Sequence, residues 1–249
     1  MQDELYEAAE RGLLVRIQGL LRDDCVDINL VKQHWIRPTA LHLASEHGHV
    51  TVVRELLKVP GINPNKLDSF KRTPLILACW KGEIEVVRVL LRDPRVKADL
   101  AEDWGKTPLW WAASCGNEVI AKWLVASGKD LNLAMCGGVP FGEKSCTAKE
   151  VAKRRGYPGI VTLLGNFQRD PEGTRFEVEL ELGQVEQHIA NVFALVVFLS
   201  DDYLVLEEET EIEDTAEIGG RRRRSSSGSS SSSNTDGGES GNLPLCHCL

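Results

Sequence analysis

A chain of 249 residues with 42% hydrophobic content and a formal charge of −8 holds enough apolar material for one or two packed cores, which excludes the fibrous and wholly disordered classes. Its longest apolar run, residues 192–199, falls far short of the ~20 residues of a membrane-spanning helix, and its seven cysteines form no CxxC pair or Cys/His quartet, which indicates reduced thiols and no structural zinc. The charge is uneven: residues 1–166 carry 23 bases and 20 acids, net +3, and residues 167–249 carry 6 and 17, net −11.

The chain opens on MQDELYEAAERG, acidic where a targeting leader is basic, which predicts a cytoplasmic protein. A segment from Leu5, LYEAAERGLLVRIQGLL, is the first of five related stretches. TALHLASEHGHVTVVRELL starts at Thr39, TPLILACWKGEIEVVRVLL at Thr73, TPLWWAASCGNEVIAKWLV at Thr107 and TAKEVAKRRGYPGIVTLL at Thr147. The steps between the threonines are 34, 34 and 40 residues. Six extra residues therefore lie in the Gly-rich segment AMCGGVPFGEK, and self-similarity at this period marks a stacked repeat architecture.

The chemistry of one stretch predicts its shape. The Thr73 hydroxyl is placed to accept from an unpaired amide at a helix start, and Pro74 fits the first turn, where its missing N–H costs nothing. Leu75 and Ala78 share a face three residues apart. Gly82 supplies the left-handed backbone that ends the helix, as Gly12, Gly48, Gly116 and Gly156 do at the same point elsewhere. A second helix follows, with Ile84, Val87, Leu90 and Leu91 as its inward stripe. Such a pair is too small to bury its own stripe, so neighbouring pairs must stack.

Beyond the repeats, RFEVELEL at 175–182 alternates as a strand does, while Asp170-Pro171 is a helix start and Gly183 a helix end. We read it as helix, because a lone strand on a helical stack has no pairing edge. Val185, Ile189, Val192, Val196, Leu199 and Tyr203 recur at helical spacing and predict a further helix, placing a helical extension over 167–206. Residues 201–217 carry nine acids and no base, and Arg221 to Arg224 precede a Ser/Gly tract, so 207–249 reads as a disordered tail. The arginine run is also a candidate nuclear address or kinase-site flank. The terminal CHCL sets Cys246 at the spacing of a prenylation signal, with His247 and Cys248 poor fits to its aliphatic positions.

At TALHLA, TPLILA and TPLWWA, together with the Gly, the Val-x-x-Leu-Leu positions and the closing INPN or DLN, the chain resembles the ankyrin repeat family. Ile76, Trp110 and Glu150 depart from the motif's histidine, which only His42 keeps, and Ala40 and Ala148 depart from its proline. The resemblance implies an all-α ankyrin-repeat solenoid of helix-turn-helix units with hairpin-like loops over residues 1–166, with units near 1–36, 37–70, 71–104, 105–145 and 146–166. The end units are read as polar caps. It further implies a non-catalytic scaffold or adaptor that grips a protein partner on its concave face.

Carried over by position, the hairpin fingers would present Trp35, Ile36, Phe70, Arg72, Trp104 and Lys106, and the helices Trp80, Lys81, Arg154 and Arg155. Ile36, Phe70 and Trp104 each lie three residues before a repeat threonine and form an apolar ladder. That ladder either meets a partly apolar, acidic partner segment or packs between adjacent fingers. His42 is expected to bond locally beside Thr39, and Cys79 to lie in the core. GGVPFGEKS lacks the lysine of a phosphate-binding loop, since Glu143 follows Gly142. No catalytic or cofactor motif is found, and no metal, cofactor or nucleic acid is expected. A membrane adaptor lipidated at Cys246 is the rival reading.

Overall fold

A computed structural model describes residues 2–22, 26–138 and 145–183. These lie in the first of two compact units, residues 1–189 and 190–249. The helix expected over 185–203, the acidic stretch, the arginine run and Cys246 lie outside the described residues.

Eleven helices run through the described residues. They form five antiparallel pairs: α1 (Gln2–Arg11) with α2 (Leu14–Leu20), α3 (Ala40–Glu46) with α4 (Val50–Lys58), α5 (Pro74–Lys81) with α6 (Ile84–Arg92), α7 (Pro108–Cys115) with α8 (Glu118–Ala126), and α9 (Ala148–Arg155) with α10 (Pro158–Arg169). α11 (Pro171–Glu181) follows. The first helices pack in one row, α1 on α3, α3 on α5, α5 on α7 and α7 on α9, and the second helices in another, α2 through α10. α11 lies against α8 and α10 and closes the last pair. There is no sheet among the described residues, only an isolated antiparallel bridge between Gly137 and Cys146. The fold is an all-α helical solenoid.

Each pair is punctuated as its residues dictate. The hydroxyls of Thr39, Thr73, Thr107 and Thr147 accept from the amides of His42, Ile76, Trp110 and Glu150, one turn into each first helix. Gly82 ends α5 at φ 84°, a conformation that costs a residue with a Cβ ~1–2 kcal/mol. The two rows then bury the apolar faces: Val86, Val87 and Leu90 of α6 are fully enclosed between α4 and α8, each contributing ~1.5–3 kcal/mol. Ile84 departs from the expected stripe and is exposed, while Val86 and Val89 are buried. α6 has neighbours on both sides of its own pair, so its buried arc is wider than a single stripe.

The segment with mixed signals is helical. The Asp170 carboxylate accepts from the amide of Gly173 at the start of α11, and Val178 packs into the core. Cys79 is fully buried, and its thiol is driven well above the ordinary range by burial. The polar cap expected of the first pair is incomplete, because Leu13 and Val15 of that pair are exposed.

Candidate functional site

The fingers between pairs are joined by one backbone bond per step. Ser69 N–H donates to Ile36 C=O at 2.8 Å, Asp103 N–H to Phe70 C=O at 3.1 Å, and Gly138 N–H to Trp104 C=O at 2.6 Å. Each finger closes on itself by a similar bond, Asp68 N–H to Arg72 C=O and Glu102 N–H to Lys106 C=O. In the fourth finger the paired residues are Gly137 and Cys146. The inserted residues thus lie in sequence between positions paired across this finger, and 139–144 lie outside the described residues.

Within the second finger, Asp68 is consumed by its own turn. Its Oδ1 accepts from the amides of Phe70 and Arg72 at 2.9 and 2.8 Å, and its Oδ2 takes Nε and Nη2 of Arg72, both at 2.7 Å. Glu102 holds the same place in the third finger but is one methylene longer, and its Oε1 has no hydrogen-bond donor. The nearest cation, Lys106 Nζ, stands 3.6 Å away, and the Glu102 side chain is 1% exposed. Burial raises its carboxyl above the ordinary range, against the opposing pull of Lys106 and Arg72. An unpaired buried group of this kind costs ~1–3 kcal/mol.

The sequence-predicted aromatics converge above these acids. Trp35 meets Phe70 edge-on at 5.6 Å, and Phe70 stacks on Trp104 at 6.3 Å. The continuous ring contact therefore runs through Trp35; Ile36, the residue in strict register, contributes its carbonyl to the inter-finger bond. Trp35 remains 69% exposed and Trp104 49%. Trp80 on α5 lies 5.5 Å from Trp111 on α7, with Lys81 Nζ 4.6 Å from its ring and Arg72 between it and Phe70, 5.7 and 5.0 Å from their centroids. These walls enclose a cavity of about 350 Å³, lined also by Ile36, Glu46 and Glu102.

Among the expected positions, Lys106 differs. It is not displayed: its side chain is 7% exposed, enclosed by Trp104, Trp110 and Trp111 at 5.2, 5.0 and 4.7 Å. Arg154 and Arg155 sit exposed at the end of α9 outside the cavity, where Arg155 donates to Ser114 C=O at 3.0 Å. The sequence reading passed over Glu102 and Trp111. Glu102 was marked by its register with Asp68, and Trp111 by the doubled tryptophan of TPLWWA; the Trp111 indole N–H is buried and has no acceptor.

His42 bonds locally, as expected. Its Nδ1 lies 2.8 Å from the Thr39 hydroxyl and accepts the Thr39 amide at 3.2 Å, while Nε2 reaches Arg72 C=O at 3.0 Å. Burial lowers its pKa to about 4. Among the described residues, no group of His, Cys, Asp and Glu side chains is placed to hold a metal ion, and no helix is long and apolar enough to cross a membrane.

Paired helices stacked in two rows, with fingers between them, define a repeat solenoid. The family model for ankyrin repeats in three copies matches residues 5–100 and 56–135, more than half of the chain, which belongs to the ankyrin-repeat family. No curated protein matches it. The ankyrin-repeat fold is a non-catalytic scaffold that mediates protein–protein interaction.

Proposed function

We propose that the chain is an adaptor that grips a partly apolar segment of a partner protein in the groove formed by the fingers and the first helices. The observation that carries this reading is the row Trp35, Phe70 and Trp104, three rings held in mutual contact while two of them stay open to solvent beside a cavity. Large rigid rings at low entropic cost are the residues in which binding energy concentrates. An acidic partner has narrower support. Arg72 is engaged by Asp68, Lys106 by Glu102 and Lys81 by Glu46, and Arg155 donates to Ser114 C=O. A cytoplasmic location, with nuclear entry through Arg221 to Arg224, belongs to the same proposal.

The test uses the full chain carrying Phe70→Ala and Trp104→Ala together. A partner captured by the wild-type chain is titrated against both proteins, with circular dichroism as the control for folding. Affinity at least about tenfold weaker in a folded double variant supports the groove. Equal affinity overturns it.

A further inference from the structure

We infer that the cavity takes the neutral carboxamide of a glutamine in the partner segment, its oxygen accepting from the indole N–H of Trp111 and its nitrogen donating to Glu102. The inference rests on the adaptor reading above and narrows it.

Charge excludes an ionic guest. The charged residues that line the cavity are Glu46, Arg72 and Glu102, and each has its counter-ion inside the protein: Lys81 at 3.2 Å from Glu46, Asp68 at 2.7 Å from Arg72 and Lys106 at 3.6 Å from Glu102. An added cation finds no unmatched carboxylate, and an added anion no unmatched base. The ring faces are engaged as well, Phe70 by Arg72, Trp80 by Arg72 and Lys81, and Trp104 and Trp111 by Lys106. A neutral guest displaces none of these cations.

Hydrogen bonding then selects among neutral groups. Two buried polar atoms of the lining lack partners, and they are of opposite kinds: Nε1 of Trp111 has no acceptor and Oε1 of Glu102 no donor. Both flank one ammonium, Lys106 Nζ, which stands 3.6 Å from that oxygen and 4.7 Å from the centroid of the Trp111 ring. An ammonium only donates, so it offers nothing to the indole N–H, and at 3.6 Å it is too far to hydrogen-bond the carboxylate. The charges here are balanced while the hydrogen bonds are not. Asp68, one finger back, has every oxygen occupied by its own turn, so the imbalance is peculiar to the third finger.

Each other class of guest leaves something unanswered. An apolar side chain serves neither atom, a guanidinium or ammonium leaves the indole N–H, and a carboxylate leaves the Glu102 oxygen. A carboxamide carries an acceptor and a donor on neighbouring atoms of one flat group, whereas a hydroxyl carries both on a single atom that must lie within reach of both partners at once. Neither lining atom is open to water, so the guest enters by parting Trp80 and Trp104, the exposed rings beside Trp111 and Lys106. The two methylenes of glutamine carry its amide past those rings and lie against them.

The probes are blocked five-residue peptides identical except for the central residue, which is glutamine, leucine, glutamate, arginine or serine. They are titrated into the full chain with the tryptophan indole N–H resonances as the signal. The glutamine peptide is expected to bind saturably and every other peptide at least about tenfold more weakly. Its binding should move the Trp111 indole proton downfield, as a newly made hydrogen bond does, and the leucine peptide should leave that proton in place. Trp111→Phe should bring the glutamine peptide down to the leucine level. If that variant does not fold, the peptide series and the Trp111 resonance of the wild-type chain decide the matter.

No saturable glutamine binding, another peptide within about tenfold of it, or an unmoved Trp111 resonance each overturns the inference. A captured partner that needs Phe70 and Trp104 but is indifferent to replacement of its glutamines leaves the adaptor standing and removes the carboxamide. A partner indifferent to both removes both.

Discussion

The indole N–H of Trp110 donates to the carbonyl of Cys146 at 3.0 Å, at the register position where His42 reaches the carbonyl of Arg72 over the same distance. A tryptophan thus replaces the motif's histidine while keeping its inter-finger tie, even though the fourth finger carries six extra residues. Ile76, the residue between them in the series, has no side-chain donor to offer. Trp110→Phe keeps an aromatic ring but removes the N–H together with part of the buried indole, leaving the buried Cys146 carbonyl without this donor. The expected loss is about 1–2 kcal/mol, read as a lower urea midpoint at unchanged slope, and an unshifted midpoint would remove the tie.

His42 makes the native state sensitive to acid. Its folded pKa of about 4 lies below the ordinary 6.5 because burial disfavours the imidazolium. Between those values the unfolded chain binds a proton that the native state refuses. Stability is therefore constant in this term above the unfolded value and falls as the pH drops toward the folded one, by about 3 kcal/mol in all. Asp68 and Glu46 favour the charged ring and Arg72 opposes it, but burial dominates. The difference in unfolding free energy between wild type and His42→Gln, measured at pH 7 and pH 4.5, should shrink at the lower pH. A constant difference would show that His42 does not titrate on unfolding.

How far the sequence could be read follows from which features are local. Threonine caps, glycine stops and the second-helix stripes depend on neighbours within a turn or two, and they appear directly in the spacing of Thr39, Thr73 and Thr107. α11 was legible from Asp170-Pro171, whose capping chemistry outweighed the alternation of RFEVELEL. The groove was half legible. Trp35, Phe70, Trp80 and Trp104 were read from register, but the fate of Lys106 depends on three indoles from its own finger and α7. No single-repeat argument shows that a cation in register with Arg72 will be enclosed. Glu102 escaped for a subtler reason, since one methylene separates a turn-capping carboxylate from one with a free oxygen.

That methylene predicts unequal costs for the two finger acids. Asp68 closes its turn and neutralises a nearly buried guanidinium, so Asp68→Ala leaves Arg72 uncompensated and should cost about 3–5 kcal/mol. Glu102 makes only the long contact to Lys106, whose buried ammonium also faces three indoles and keeps them when the carboxylate is neutralised, so Glu102→Gln should cost less, about 1–2 kcal/mol. Paired denaturant titrations decide between them, and a larger loss for Glu102→Gln would reverse the assignment.

The fingertips give the opposite kind of change, one that stabilises. Arg37, Lys71 and Gly105 occupy the same position in three successive fingers, at φ 54°, 57° and 74°. A side chain there bears a penalty of ~1–2 kcal/mol that glycine escapes. Lys71 offsets part of it through a 2.9 Å pair with Asp103, which makes Arg37 the better target. Arg37→Gly should raise stability by about 0.5–1 kcal/mol once the greater freedom of the unfolded glycine is deducted. Gly105→Ala should do the reverse and by more, because its new Cβ would stand 2.8 Å from the carbonyl oxygen of Cys136 in addition to the unfavourable φ. Thermal melts of the two variants should therefore move in opposite directions, with Gly105→Ala the larger shift. A lower melting temperature for Arg37→Gly would mean that the Arg37 side chain stabilises its finger more than its backbone strains it.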